Sequence, residues 1–260
     1  LKNKWLLIQS GAKSGFYNMA ADEHLLSYEL PVLRIYSFKP SCITLGYFMD
    51  GEGSLNYDFI KSEGIDVTRR QTGGKAVLHA NELTFSVSAP LRLFGQSVIK
   101  GYDKISNALI YALEETGINA YKAGEAADSC GVICFAAKAK YEVLSGGKKI
   151  CGAAQKKFSD RLLHHASVPL HIDYDLYSNC FFDRKYENSE SLKSVMSSLS
   201  DEAEKDISYM QFSASLIRGF ERAFNADFSN YSFSDEEELF IGKKASFKYA
   251  MPCWIKSKTF

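Results

Sequence analysis

Residues able to do chemistry are densest in Arg69-Arg70-Gln71-Thr72-Gly73-Gly74-Lys75-Ala76-Val77-Leu78-His79, followed by Asn81-Glu82-Leu83-Thr84. A glycine pair at a strand end lets main-chain N–H groups come close to a ligand, and flanking Arg, Thr and Lys supply donors for a carboxylate, carbonyl or phosphate. Arg70, Thr72, Gly73 and Gly74 are therefore candidate ligand contacts, and His79 closes the loop where it can orient or polarise a bound group. The pattern is not a Walker loop, which needs glycine where Arg69 stands and Ser or Thr where Ala76 stands. A plain hairpin turn with solvated arginines fits the same residues.

A second cluster runs from Cys134 to Arg161. It holds seven cations (Lys138, Lys140, Lys148, Lys149, Lys156, Lys157 and Arg161) against two acids, Glu142 and Asp160. Such a local positive field suits an acidic partner and favours a nearby thiolate, while alternating lysines on a solvated strand face give the same count. Cys134 is the candidate covalent nucleophile within it. A thiolate attacks thioesters readily, and exchange between thioesters is nearly thermoneutral and needs no ATP. Between Ile133 and Phe135, the same thiol also fits a small buried hydrophobe.

The six cysteines contain no C-x-x-C pair and are too sparse for a disulfide scaffold, which points to a reducing cytoplasm. Cys130, Cys134 and the His164-His165 pair match no common zinc spacing, so no metal site is expected. The histidines sit on a strand, where one must face in and one out.

The elements that position these residues follow from periodicity. Phe16 to Glu29 has helical spacing behind Ser14 as a cap, and Ser97 to Thr116 forms the longest helix, stopping at Gly117. Strands are expected at Leu1 to Gln9, Val32 to Ser37, Cys42 to Gly46, Ile65 to Arg69 and Leu83 to Ala89, with a short helix over Asn56 to Ser62. Tyr141 to Leu144, Lys149 to Gln155 and Leu162 to Ile172 read as an antiparallel meander turning at Gly146-Gly147. Arg184 to Asp206 reads as a solvated connection or weak helix, Phe212 to Phe224 as a helix, and the tail from Asp235 as charged and mixed. The fold class is α+β: mixed, largely antiparallel sheets flanked by helices. Residues 1–260 are read as a single catalytic domain, with 1–180 the motif-bearing core and about 184–260 a linker plus a C-terminal helical segment.

Bulk numbers exclude several classes. A 46% hydrophobic content with 5 Pro supports a packed core and excludes disorder. Acidic and basic residues balance at 31 each, so the footprint of a general nucleic-acid binder is absent. No apolar run approaches the roughly 18–20 residues of a membrane span.

Taken together, the pieces resemble the biotin/lipoate protein ligase superfamily, in its lipoate ligase and octanoyltransferase branch. The matching stretches are Asn18-Met19-Ala20-Ala21-Asp22-Glu23, Leu33-Arg34-Ile35-Tyr36, Ile43-Thr44-Leu45-Gly46-Tyr47 and the Arg69 to Thr84 loop. Gly147-Lys148-Lys149-Ile150-Cys151-Gly152-Ala153-Ala154-Gln155 and His165-Ala166-Ser167-Val168-Pro169-Leu170 complete the match. The resemblance implies a tunnel for a medium-chain acyl or lipoyl group, lined in part by the Gly73-Gly74 loop, with Gly152 and Ala153 also binding substrate. It implies that Lys149 contacts the acyl carbonyl, where a cation stabilises developing negative charge.

Two chemistries share that scaffold. Cys134-Phe135 followed by Tyr141-Glu142 resembles the C-F-x-x-P-S-x-Y-E stretch of cysteine-dependent octanoyltransferases, with Lys138 and Ala139 in place of Pro-Ser. The Asn-Asp-type pair of the ligases near Lys140 and Tyr141 is absent, and a chain of 260 residues is short for the accessory C-terminal domain of long ligases. Ala80 and Ala153 depart from the usual Asp and Ser. The implied activity is transfer of octanoyl from octanoyl-acyl carrier protein, through a Cys134 thioester, to a lysine of a lipoyl-carrier domain (glycine cleavage H protein or dehydrogenase E2 domain). It would proceed in the cytoplasm, in a monomer, with no cofactor. The alternatives are an ATP- and Mg-dependent lipoate–protein ligase and a non-catalytic acyl-binding member.

Overall fold

The computed structural model describes residues 2–51, 53–124, 142–183, 186 and 188–258. The chain enters through β1 (Asn3–Lys13) and turns into α1 (Gly15–His24), where the Ser14 hydroxyl accepts from the Tyr17 N–H at 3.2 Å and so caps the helix. Strands β2 (Val32–Phe38) and β3 (Cys42–Leu45), helix α2 (Tyr57–Ser62), and strands β4 (Asp66–Arg69), β5 (Val77–His79) and β6 (Glu82–Pro90) follow. Helix α3 (Val98–Glu115) is capped by Ser97, and Gly117 sits just beyond its end at φ +89°. Four strands come next: β7 (Ala120–Lys122), β8 (Val143–Ser145), β9 (Lys148–Lys149) and β10 (Gly152–Phe158). Strand β11 (Arg161–Pro169) leads to α4 (Tyr174–Cys180), α5 (Ser189–Lys193), α6 (Leu199–Ala203) and α7 (Tyr209–Phe224). The chain finishes with β12 (Ala226–Asn230), α8 (Asp235–Lys244), a π-turn over Ala245–Tyr249 and α9 (Pro252–Ser257).

A six-stranded sheet in the order β10-β11-β6-β2-β1-β12 carries the fold; β1 runs parallel to β2 and β12, and the other pairs are antiparallel. One face packs Leu33, Ile35, Leu83, Phe85 and Val87 against Ile105 and Leu109 of α3 and Leu216 and Phe220 of α7. Both long helices present apolar residues at three- and four-residue spacing, which is what this burial needs. The other face carries α1. Two smaller sheets, β4-β3-β5 and β7-β8-β9, stand beside it, the former over a core of Ile43, Leu45, Ile60, Leu78 and Met196.

Several expectations need correction. The strand expected over Lys149 to Gln155 splits: Lys149 belongs to the β8-β9 hairpin, and its backbone is held by Val195 and Ser197, while β10 begins at Gly152 in the large sheet. Over the polar 188–206 region the helical alternative holds and the solvated one does not: capping boxes at Asn188 and Ser198 start α5 and α6, and Leu192, Met196 and Leu199 are buried there. His164 and His165 do point to opposite faces, yet both are buried, because helices cover the sheet on both sides. The seven-cation cluster is not one surface. Lys149 and Arg161 turn inward, and Lys138 and Lys140 lie outside the described residues. Among the described residues, no helix is long and apolar enough to cross a membrane.

Candidate active site

The glycine loop is shaped by the two arginines before it. The Arg70 guanidinium donates to the carbonyls of Thr44, Gly73 and Lys75 at 2.8, 2.8 and 2.7 Å. Arg69 donates to the carbonyls of Gly46, Met49 and Ile255 at 2.7, 2.6 and 2.8 Å. Both are buried, so these cations brace backbone, in place of the solvated pair that a plain hairpin would show. Close approach explains the glycines. A Cβ on Gly46 would stand 1.8 Å from the Gly74 carbonyl oxygen, and Gly74 holds φ at +93°.

Beside this loop lies a cavity between the polar face of the large sheet and the antiparallel β3-β5 pair. Tyr36, Thr84, His165 and Ser167 come from the large sheet, Thr44, Val77 and His79 from the β3-β5 pair, Met19 from α1, and Gly152, Ala153 and Ala154 from the edge strand β10. Of the residues singled out in the sequence, Arg70, His79, Gly152 and Ala153 line it. Thr72, Gly73 and Gly74 do not. They stand behind the wall, with Thr72 Oγ1 2.5 Å from Nε2 of the lining residue His165.

Most polar groups in the lining are satisfied by one another or by buried neighbours, Nδ1 of His165 being the exception. His79 Nε2 lies 2.9 Å from Thr44 Oγ1, and its Nδ1 lies 3.0 Å from Glu82 Oε2, while its ring stacks on Phe38 at 4.0 Å. The hydroxyls of Thr84 and Ser167 donate to the same Glu82 carboxylate. Tyr36 donates to Asp22 at 2.8 Å. With hydroxyls, imidazoles and carboxylates so engaged, the lumen offers hydrocarbon and few open hydrogen-bond positions. An apolar chain fits such a lumen, and a polyhydroxylated or highly charged ligand would leave groups unpaired.

Beneath the cavity, a buried network that local spacing does not reveal as a unit joins α1 to the sheet. Asp22 accepts from Arg34 at 2.9 Å and from Ser86 at 2.7 Å, and Arg34 also donates to Asn18 Oδ1 at 2.7 Å. Burial works against the Asp22 charge, but His165, Arg34 and Ser86 outweigh it and hold the carboxyl below its ordinary range. His165 Nδ1 stands 3.6 Å from Asp22, beyond hydrogen-bond length yet close enough for attraction. Burial pushes the His165 pKa down, only partly countered by Asp22, so the ring is neutral at pH 7. The carboxylate favours the proton on Nδ1, leaving Nε2 to accept from Thr72. Polar residues at Asn18 and Asp22 on the buried side of an otherwise apolar helix are the sequence signal for this network.

Lys149 is fully buried, and its ammonium lies 2.6 Å from Glu142. Glu142 follows Cys134 by eight residues in the chain. Cys134 itself, with Cys130 and Tyr141, lies outside the described residues. Burial pushes the Cys42 thiol well above its ordinary value and that of Cys180 up to about 12, which makes both poor nucleophiles. No group of three or more metal-ligating side chains occurs among the described residues, and His164 and His165 face opposite ways.

Residues 14–221 match the lipoyl protein ligase A/B catalytic domain. The chain is 30% identical to octanoyltransferase LipM of Anoxybacillus flavithermus over 97% of its own length and 98% of the relative's. It is 31% identical to octanoyltransferase LipM of Staphylococcus epidermidis, covering 98% and 99%. Among solved structures it is similar to an ATP-bound lipoate-protein ligase A (TM-score 0.84, 25% identity, 100% of both chains). It is also similar to a bi-partite lipoate protein ligase of Thermoplasma acidophilum described with its E2 lipoyl domain (TM-score 0.80, 25% identity, 100% and 98%).

Proposed function

Since this chain belongs to the lipoyl protein ligase A/B catalytic-domain family, we propose that it is an octanoyltransferase that moves octanoyl from octanoyl-acyl carrier protein to a lysine of a lipoyl-carrier domain. The observation that carries the reading is the cavity whose hydroxyls and His79 ring are engaged by buried carboxylates and by one another, leaving a largely hydrocarbon lumen for a medium acyl chain. Near-full-length relatives named octanoyltransferase support the choice of chemistry.

In this mechanism the Cys134 thiolate attacks the thioester carbonyl, a C–S bond forms, and the carrier thiol leaves with the electrons of the broken C–S bond. The amine of the acceptor lysine then attacks the Cys134 thioester. A C–N bond forms, the Cys134 thiolate leaves, and the amine's proton passes to it or to solvent. In this reading Lys149 is the cation assigned to the oxyanion in both steps, while the Gly73-Gly74 loop keeps the cavity wall in shape through Arg70 and the Thr72–His165 contact. The exchange needs neither ATP nor a metal ion, and the protein acts as a cytoplasmic monomer.

A second reading, ATP- and Mg-dependent lipoate ligation, is favoured by the likeness to the ATP-bound lipoate-protein ligase A. One assay separates them: the purified chain with octanoyl-acyl carrier protein and an apo lipoyl domain, without ATP. Octanoylated domain is expected, and its loss in Cys134→Ala. Product formed only with ATP and a free acid would overturn the transfer reading in favour of ligation.

A further inference from the structure

Next to the cavity mouth runs a strip in which cations alternate with aromatic rings. Ala154 lines the cavity, and a Cβ on Gly74 would lie 4.0 Å from its methyl, which places the glycine loop beside β10. Two residues along β10, on the same face, the Lys156 ammonium sits 4.6 Å from the Tyr47 ring centroid and 4.8 Å from that of Phe158. Tyr47 is anchored by its N–H to the Thr72 carbonyl at 2.8 Å. Its ring meets Phe48 edge-on at 5.0 Å, and Lys258 lies 5.9 Å from the Phe48 ring. Phe48 is 77% exposed, a large apolar side chain on the rim with no core contact to explain it.

Neither Lys156 nor Lys258 forms an ion pair among the described residues. The nearby Asp50 contributes to the field at buried Arg69. Ring faces hold both ammoniums in place without neutralising them. An aromatic anchor flanked by positioned, unneutralised cations fits a protein face that is acidic with an apolar contact at its centre.

Resting on the transfer reading, we propose that this strip of Phe48, Lys156 and Lys258 is the docking surface for the acceptor, the lipoyl-carrier domain, through an acidic face beside its target lysine. Reach decides between acceptor and donor. The acceptor's amine hangs on a four-carbon stem, so the domain surface must rest on the rim for the amine to meet the acyl carbonyl. The donor presents its thioester on a long prosthetic arm and can stand back from the rim.

The test compares the two half-reactions in the Lys156→Glu/Lys258→Glu double variant and in Phe48→Ala: acylation of the enzyme by octanoyl-acyl carrier protein, and transfer from the acyl-enzyme to an apo lipoyl domain. For the double variant, kcat/KM for the lipoyl domain should fall about tenfold or more while the acylation rate stays unchanged, and added salt should slow the wild-type acceptor step far more than the variant's. Phe48→Ala should raise KM for the lipoyl domain with kcat preserved. An unchanged acceptor step, or an equal fall in both half-reactions, would overturn the proposal. Unchanged acylation in the variant also reports an intact fold. If the wild type forms no acyl-enzyme without ATP, the transfer reading fails separately, and the same variants are then assayed against the lipoyl domain with ATP and lipoate.

Discussion

His164 and His165 are neighbours on β11, and they lie in two different chemical worlds. His164 faces the α3 side, edge-on to Tyr102 at 5.1 Å and beside Phe85, in mostly apolar surroundings with the Gln155 amide oxygen 3.3 Å from Nδ1. His165 faces α1 and the cavity, within the Asp22, Arg34 and Thr72 network. Strand β6 makes the same division residue by residue: Leu83, Phe85, Val87 and Ala89 pack under α3 and α7, while Glu82, Thr84, Ser86 and Ser88 serve the polar face. The apolar face needs volume and shape. The polar face needs each partner, because a buried charge or donor left alone is costly. That second requirement is what confers a defined lumen, since its hydroxyls and imidazoles are turned toward one another and away from a ligand.

The largest expected break in this contrast is Arg34→Leu. It leaves the Asp22 carboxylate buried without its guanidinium partner, and urea denaturation should show a loss of about 3–5 kcal/mol. Adding Asp22→Asn should restore part of that loss, a compensation that has no counterpart for Phe85→Ala on the apolar face. A smaller change is expected for Thr72→Val, which leaves His165 Nε2 buried without a donor. Its cost is about 1–3 kcal/mol in the same measurement, with weaker octanoyl loading because the loop behind the cavity wall is released.

His164→Leu is the smallest at neutral pH, a shift of about 1 kcal/mol or less, and it sharpens the contrast through acid titration. Burial pushes the His164 pKa down to about 3. As pH falls below the unfolded value of about 6.5, the unfolded chain takes up a proton that the folded ring refuses, so the wild type loses stability from there toward pH 3. The variant should lose less over that window. Parallel acid limbs for the two proteins would show that His164 is not held neutral by its surroundings.

Much of this organisation is visible in the chain itself. Ser14 and Ser97 announce two helices, the alternation from Leu83 to Ala89 announces a strand, and Arg70, His79, Gly152 and Ala153 all reach the cavity. Periodicity could not show that β2 and β11 are buried on both faces, because that depends on α1 arriving over the side opposite α3 and α7. Nor could a local charge count distinguish Lys149, turned inward to Glu142, from Lys156, poised on Tyr47 at the rim. The 188–206 region reads as either connection or weak helix because the short helices opened by Asn188 and Ser198 need only a few apolar residues, and Leu192, Met196 and Leu199 are scattered among polar ones. The Asp22, Arg34 and His165 network joins three distant segments, so polar Asn18 and Asp22 on α1 hint at a buried partner while local spacing cannot say which.

The central claim is that the cavity on the polar face serves a thioester-borne octanoyl group delivered through Cys134. Intact-protein mass after mixing the purified chain with octanoyl-acyl carrier protein, in the absence of ATP, tests it most directly. The account predicts a one-octanoyl mass increase that hydroxylamine removes and that peptide mapping assigns to Cys134. An unmodified mass under these conditions, with lipoyl-domain modification appearing only when ATP and lipoate are supplied, would contradict it.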